Sequence, residues 1–278
     1  MSERPVIASL WIGAPLTFLE QLCLQSFVDA GHRTKLYVYD TVGNVPDGVE
    51  IADANEILPA TEFIVNAQSG KAGPHSDKFR YHLLSKTDEI WVDTDAYCTK
   101  PFPEVDYLFG NHFNTVIANG VLRLPKDSPT LAGLLEFTSH QYPDLPEDFP
   151  FVRKTVRAEY EARRKAGNPM HVSELPWEIW GPFAITHFAW RHDEAKHTTG
   201  KDVLYPISGG EISRVLQMPW RAKISIPEET LSVHFYGSKI RNLLAKSDGV
   251  PHPRSFLGRL CEKHGINPAN GPITKEAA

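Results

Sequence analysis

The sequence predicts an α/β fold with a mainly parallel central sheet flanked by helices. Segments 5–11 and 35–40 are short and apolar, as expected for buried strands. Between them, residues 16–30 have apolar side chains at helical spacing and end at Gly31, a common helix C-cap. A strand, a helix and a strand within about 40 residues form a βαβ unit, which implies parallel strands.

Length and composition narrow the possible classes of protein. The chain has 278 residues, with 41% hydrophobic and 23% charged residues, which is ordinary for a globular domain. A formal net charge of -5 gives no electrostatic reason to expect nucleic-acid binding. Cys23, Cys98 and Cys261 lie far apart, which argues for reduced thiols and against a zinc framework. Without an apolar run of about 18 residues or a secretion signal at 1–5, we expect a soluble cytoplasmic protein.

The later elements follow from local patterns taken in chain order. A helix is expected at 76–86 with Ser76 as its N-cap, and Asn119-Gly120 is interpreted as a tight turn or a close backbone approach. The other predicted elements are strands at 90–92, 115–118, 121–124, 203–207 and 231–236, and helices at 130–140, 152–165 and 256–264. Residues 246–278 are predicted to be a C-terminal tail with one short helix and little ordered core.

Two aspartates mark the point where the chemistry is expected. The apolar run 90–92 ends at Asp93 and Asp95, and carboxylates at the end of a buried strand cost several kcal/mol unless they are neutralised. A divalent cation that also binds phosphate oxygens is a suitable partner. Asp77 and Arg80, on one face of the preceding helix, could lie beside this pair or form an ordinary exposed ion pair. His234 ends a late strand and is either a ligand or an ordinary core histidine.

The segment 152–165 carries six basic residues against two acidic ones. Most such faces are simply solvated. The alternative is acceptor docking or a peripheral contact with an anionic membrane surface, at the inner face of the membrane.

Several short motifs together resemble the DxD-containing sugar transferases. This group includes bacterial and fungal mannosyl- and galactosyltransferases, the α-1,4-glycosyltransferases and, more distantly, the clostridial glucosylating toxins. The order and spacing agree from about residue 5 to 240. The motifs that carry the resemblance are Leu10-Trp11-Ile12-Gly13, Ser76-Asp77-Lys78-Phe79-Arg80, Trp91-Val92-Asp93-Thr94-Asp95, Asn119-Gly120, Gly181-Pro182 and Val233-His234-Phe235-Tyr236.

The resemblance implies a GT-A-like catalytic domain over residues 1–245, followed by the tail 246–278. By position, Trp11 would border the nucleotide base, and Asp77 with Arg80 would contact the donor sugar and phosphates. Asp95 would bind the metal directly, with Asp93 as a less direct partner. The other implied contacts are Asn119, Gly120 and Gly181-Pro182 at the donor and acceptor clefts, His234 at the metal or diphosphate, and Tyr236, Ser238 and Lys239 on a closing C-terminal loop.

The resemblance also implies the reaction. It would be a hexosyl transfer from a nucleotide-diphosphate sugar, with a UDP-sugar favoured over a GDP-sugar, to a glycan or lipid-linked acceptor. Members typically use Mn²⁺ (or Mg²⁺) and retain the anomeric configuration, and no residue here is assigned as a nucleophile. The family often has a tryptophan six residues after its C-terminal histidine. Ile240 stands at that position, so Lys239 or Arg241 is expected to serve the diphosphate instead.

Two other functions remain open at the level of sequence. A nucleotidyltransferase can share the fold class and the metal, but it needs a basic glycine-rich loop after the first strand, which 12–15 does not provide. A carbohydrate- or protein-binding relic would keep the acidic pair for structure alone. Metal-dependent nucleotide affinity distinguishes the relic from an enzyme.

Overall fold

The computed structural model describes residues 4–113 and 115–274. Residues 1–3 and 114 of the predicted domain 1–245, and residues 275–278 of the predicted tail 246–278, lie outside the described residues. The strands are β1 Ile7–Trp11, β2 Thr34–Val38, β3 Val49–Asp53, β4 Ile90–Val92, β5 Ala96–Cys98, β6 Leu108–Phe113, β7 Val116–Arg123 and β8 Ser232–His234. The α-helices are α1 Phe18–Asp29, α2 Gly73–Lys86, α3 Pro129–Ser139, α4 Lys154–Lys165, α5 Pro182–Arg191, α6 Lys201–Leu204, α7 Gly237–Leu244 and α8 Phe256–Lys263.

The central sheet confirms the predicted α/β class. Six strands lie in the order β3-β2-β1-β4-β7-β6, and the pairs β3–β2, β2–β1 and β1–β4 are parallel. β7 and β6 add an antiparallel edge. A separate two-stranded sheet pairs β5 with β8, and this pairing sets His234 opposite Ala96. The chain therefore leaves the central sheet between β4 and β5, where the two aspartates lie.

Three local predictions need correction. Ser76 is not the N-cap of α2, because Pro74 fits the first turn and the helix already begins at Gly73. The predicted strand at 203–207 is wrong, because its first two residues belong to the single helical turn α6. A short apolar run does not distinguish a helix from a strand. Asn119 and Gly120 form no turn, since β7 continues through both of them; Gly120 provides a close backbone approach.

The segment after residue 245 has more ordered core than predicted. Leu257 and Cys261 of α8 and Ile273 are buried in one apolar cluster with α1 and α7. The backbone carbonyl of Gly271 accepts a hydrogen bond from Phe18 N at 2.8 Å. Apolar spacing on α8 thus packs this segment against α1 and α7, and the division at residue 245 stays a prediction.

Candidate active site

Asp93 and Asp95 lie in a tight turn between the two sheets. Asp93 N donates to the carbonyl of Gly120 at 2.6 Å, which extends the pairing of β4 with β7 by one residue. Ala96 N donates to the carbonyl of Asp93 at 2.9 Å and closes the turn. Both carboxylates are only partly exposed, at 27% for Asp93 and 19% for Asp95. The end of a buried strand therefore brings two acidic groups to one place.

His234 completes a set of three possible metal ligands, which we call the acidic cluster. Its Nε2 lies 3.1 Å from Asp95 Oδ1 and 3.6 Å from Asp93 Oδ2. One ligand atom from each residue lies within 4.8 Å of the others. β8 pairs with β5 directly after the turn, and so the register of two short strands brings His234 to the aspartates.

Two glycines permit this close packing. A methyl group on Gly120 would lie 2.9 Å from Asp93 Oδ2 and 3.1 Å from the His234 ring. Gly237 N donates to Asp95 Oδ2 at 2.6 Å. It follows Tyr236, whose φ of 51° is a left-handed conformation that non-glycine residues adopt rarely. The strained residue turns the chain from β8 into α7 so that the first N–H of the helix faces Asp95.

The protonation states of Asp95 and His234 depend strongly on each other. Burial alone would raise the pKa of Asp95, but His234 and the Gly237 N–H hold it well below its usual range. Burial alone would lower the pKa of His234, but Asp95 and Asp93 raise it to about 10. Without a metal, the histidine is thus the cation of the cluster. Ligation by Nε2 requires that nitrogen to lose its proton.

The donor set suits a hard divalent cation. Two carboxylates and one imidazole, with the remaining positions open to a cavity, fit Mn²⁺ or Mg²⁺, which take oxygen ligands and share phosphate oxygens. His234 Nδ1 lies 3.2 Å from Tyr236 N, and this contact turns Nε2 toward the carboxylates. The residues present therefore fit the implied metal, with the carboxylates as its principal ligands.

Asp77, Arg80 and Asn119 form a second group beside the cluster, the Asp77 network. Arg80 Nη2 lies 3.3 Å from Asp77 Oδ1, and Arg80 Nη1 donates to the carbonyl of Asn119 at 2.6 Å. Asn119 Nδ2 donates to Asp77 Oδ1 at 2.8 Å. Arg80 Nη1 also pairs with Asp93 Oδ1 at 3.0 Å and joins the two groups. The predicted pair on α2 is therefore buried, and it lies beside the aspartates.

A cavity of about 660 Å³ opens beside both groups. Six of the predicted site residues contribute to its wall: Trp11, Asp77, Arg80, Asp93, Asp95 and Asn119. Tyr236 packs its ring against His234, with centroids 4.7 Å apart, outside that wall. Lys239 turns away, because its Nζ donates to the carbonyl of Gly209 at 2.8 Å. Gly181 abuts the carboxylate of Asp77 and not the cavity itself.

The cavity wall also contains residues that had no predicted role. Lys71 precedes α2, and Trp177 is 53% exposed at the cavity. Ser238 Oγ lies 3.3 Å from Lys71 Nζ and accepts from it. Of the two cations expected at the diphosphate, Lys239 and Arg241, the cavity wall contains Arg241, which lies on α7. Nothing in the local sequence marks Lys71 or Trp177, since their position depends on loop folding alone.

The basic helix α4 is largely occupied by contacts with its own protein. Arg163 pairs with Glu174 at 2.7 Å, and Arg164 pairs with Asp144. Arg157 donates to the carbonyl of Pro146 at 2.9 Å. Among residues 4–113 and 115–274, no helix has the length and apolar character needed to cross a membrane. Contact between α4 and a membrane surface stays a prediction.

Comparison with known proteins gives structural likeness only. No protein-family model and no curated protein sequence matches this chain. Among solved structures, the PaToxG glycosyltransferase is similar at 13% identity and a TM-score of 0.45, over 68% of this chain and 69% of that one. A transferase with two cysteines changed to serine is similar at 11% identity and a TM-score of 0.30, over 52% of this chain and 81% of that one. The WbbM bifunctional glycosyltransferase is similar at 13% identity and a TM-score of 0.28, over 71% of this chain and 52% of that one. At these TM-scores, function is inferred from the residues of the site.

Proposed function

We propose that this protein is a metal-dependent glycosyltransferase. It moves a sugar from a nucleotide-diphosphate sugar to a glycan or lipid-linked acceptor, with retention of configuration. The observation that carries the proposal is the acidic cluster, whose two carboxylates contribute to the wall of a cavity of about 660 Å³. That volume lies in the range of small-molecule sites, about 300–1,000 Å³.

The two carboxylates have different tasks in this proposal. Asp95 binds the metal, because its carboxylate lies in the cavity wall and, among the described residues, only His234 forms a salt bridge with it. Asp93 is shared with Arg80 and Trp91 Nε1, which donates to it at 3.0 Å, so Asp93 is the weaker metal ligand. A bound Mn²⁺ or Mg²⁺ would stabilise the charge that develops on the departing diphosphate.

The remaining wall residues bind and orient the donor. Trp11 offers a ring face at the cavity for the nucleotide base, with a UDP-sugar favoured over a GDP-sugar. Asp77 and Asn119 hold Arg80 in one orientation, so its charge is already in place when a phosphate arrives. The loop 12–15 after β1 has no basic glycine-rich sequence, and this favours glycosyl transfer over nucleotidyl transfer.

The test is a donor screen on wild type and Asp95→Asn. We expect wild type to hydrolyse at least one UDP- or GDP-sugar slowly in a Mn²⁺-dependent manner. Asp95→Asn should lower that rate and the Mn²⁺ affinity by ~10–100-fold, as loss of a group that holds a metal does. Asparagine keeps an oxygen to accept the Gly237 N–H, so the circular dichroism spectrum should not change.

Asp106→Asn is the matched control, because Asp106 is exposed and does not belong to the cavity wall. It should leave hydrolysis and metal affinity at the wild-type values. If Asp95→Asn retains full Mn²⁺-dependent hydrolysis, the proposal is wrong. If wild type shows no metal-dependent nucleotide affinity, the binding-relic interpretation replaces it.

A further inference from the structure

Glu20 on α1 is a fully buried carboxylate, with 0% of its side chain exposed. Its Oε2 accepts from Thr17 N at 2.9 Å and from Thr17 Oγ1 at 2.6 Å. Its Oε1 pairs with Arg241 Nη2 of α7. Burying a carboxylate costs several kcal/mol unless the partner geometry is good, so this ion pair is specific. Glu20 therefore fixes Arg241, which lies 221 residues further along the chain.

The fixed guanidinium lies at the cavity. Arg241 is 13% exposed, belongs to the cavity wall, and has its guanidinium carbon 5.8 Å from the centre of the Trp11 ring. A methyl group on Gly237 would lie 2.7 Å from Arg241 Nη1 and 3.0 Å from Asp95 Oδ2. Nη1 thus approaches the acidic cluster across Gly237, while Nη2 is held by Glu20. Arginine has five donors in a planar fork, which leaves donors for a ligand.

Lys71 brings a second cation to the same cavity. Its Nζ reaches Ser238 Oγ at 3.3 Å, and in the described part of the chain no carboxylate forms a salt bridge with it. Lys71 and Arg241 both belong to the cavity wall, and burial, followed by the charge of Arg241, lowers the pKa of Lys71. Like charges held together at a cavity are relieved by an anion that binds between them.

Arg241 is already expected to serve the diphosphate of the donor; we propose that Lys71 completes the anion site with it, and that Glu20 is the positioning residue for Arg241. The identity of the ligand rests on the proposed function, whereas the anion site itself rests on the two cations. Glu20 never touches the ligand. It acts by holding the guanidinium in the orientation that the ligand needs, so its removal should act only through Arg241.

The experiment measures binding of three probes by calorimetry in EDTA: UDP, inorganic pyrophosphate and uridine. Lys71→Met and Arg241→Gln should each weaken UDP and pyrophosphate binding by ~10-fold, the cost of one charge-assisted contact, and leave uridine unchanged. Lys246→Met removes an exposed cation away from the cavity and should change none of the three. If both cavity variants bind UDP and pyrophosphate as wild type does, the anion site is wrong.

Glu20→Gln separates positioning from a purely structural tie between α1 and α7. We expect it to weaken pyrophosphate binding by ~3–10-fold and to have no further effect in the Arg241→Gln background, because the two residues act as one unit. A purely structural role would lower the melting temperature and leave the pyrophosphate affinity of the folded protein unchanged. Arg241→Lys keeps the charge and should recover part of the affinity that Arg241→Gln loses. If Arg241→Lys and Arg241→Gln lose the same pyrophosphate affinity, the charge of Arg241 does not bind the anion.

The anion site and the glycosyltransferase can fail separately. If pyrophosphate binds at Lys71 and Arg241 but UDP binds no more tightly than pyrophosphate, and no donor is hydrolysed, the anion site stands and the glycosyltransferase is wrong. If donor hydrolysis is lost in Asp95→Asn but unchanged in Lys71→Met and Arg241→Gln, the glycosyltransferase proposal is supported and the anion-site proposal is wrong. The Lys71→Met variant keeps this test open even if Glu20→Gln fails to fold, since Lys71 is an exposed residue.

Discussion

The Asp77 network and the acidic cluster lie side by side, yet their charges are balanced differently. In the network, Arg80 has two carboxylates, the carbonyl of Asn119 and the hydroxyl of Ser76 within hydrogen-bonding or ion-pairing distance. In the acidic cluster, Asp95 has one histidine and one backbone N–H. The network is neutralised by the protein itself, and the cluster depends on a titratable imidazole.

This difference predicts which property of the protein suffers most when a member of each group is changed. Groups whose charges are all paired inside the protein are costly to break, because removal of one partner leaves an unpaired buried charge. Groups that keep ligand atoms toward a cavity can exchange a proton for a metal. We therefore expect changes in the network to appear mainly as lost stability, and changes in the cluster to appear mainly as lost metal binding.

The largest expected effect comes from breaking the network at its centre. Arg80→Gln leaves Asp77 buried without a cation, and it should lower the free energy of unfolding by about 3–5 kcal/mol. Urea denaturation followed by circular dichroism measures this loss. Arg164→Gln removes an exposed arginine from a pair with Asp144, and it should leave the free energy of unfolding close to the wild-type value. Equal losses in the two variants would show that the network is not a buried support.

A second prediction concerns the backbone that separates the two groups. Gly120→Ala introduces a methyl group 2.9 Å from Asp93 Oδ2 and 3.1 Å from the His234 ring, so one or both ligands must move. We expect Mn²⁺ affinity to fall by about tenfold, since metal sites tolerate ligand displacement poorly. Gly200→Ala is the control, because nothing lies within 4 Å of the added methyl group. Unchanged affinity in Gly120→Ala would mean that the metal lies elsewhere.

Sequence reasoning identified most of the acidic cluster because its signals are local. An apolar strand followed by Asp93 and Asp95 is visible in six residues. The late apolar strand left His234 as either a ligand or an ordinary core histidine, and only the family resemblance implied the ligand. The α/β class was likewise predictable, since the βαβ unit at the start has clear periodicity and is confirmed by the parallel pairs of β1 with its neighbours. Asp77 and Arg80 were placed beside the aspartates through one inference, the continuity of helix and strand.

The parts that sequence missed depend on long-range geometry. Glu20 and Arg241 lie 221 residues apart, and no local pattern marks a buried acid on one helix as the partner of a cation on another. Lys239 or Arg241 was expected at the diphosphate, and the sequence did not decide between them. In the structure the side chain of Lys239 reaches Gly209, and Arg241 lies in the cavity wall. The choice depends on where α7 begins, because each residue of shift turns the helix face by about 100°.

The smallest predicted effect tests whether the network is fully neutralised. Burial raises the pKa of Asp77 to about 6, and Asp93 and Glu178 add to this, although Arg80 and Asn119 lower it. An unfolded aspartate has a pKa of about 3.9. Since the folded value is the higher one, Asp77 contributes stability that is fully present below pH 4 and is lost as pH rises through 6.

Wild type should therefore lose about 1 kcal/mol of unfolding free energy relative to Asp77→Asn between pH 5 and pH 7. Asp88→Asn is the control with the opposite sign. Its hydrogen bond from Lys126 lowers the pKa of Asp88, so its contribution is lost only in acid and stays constant over this range. A constant difference for Asp77→Asn would mean that Arg80 neutralises Asp77 completely. The contrast between the two groups would then be one of exposure to the cavity and not of charge.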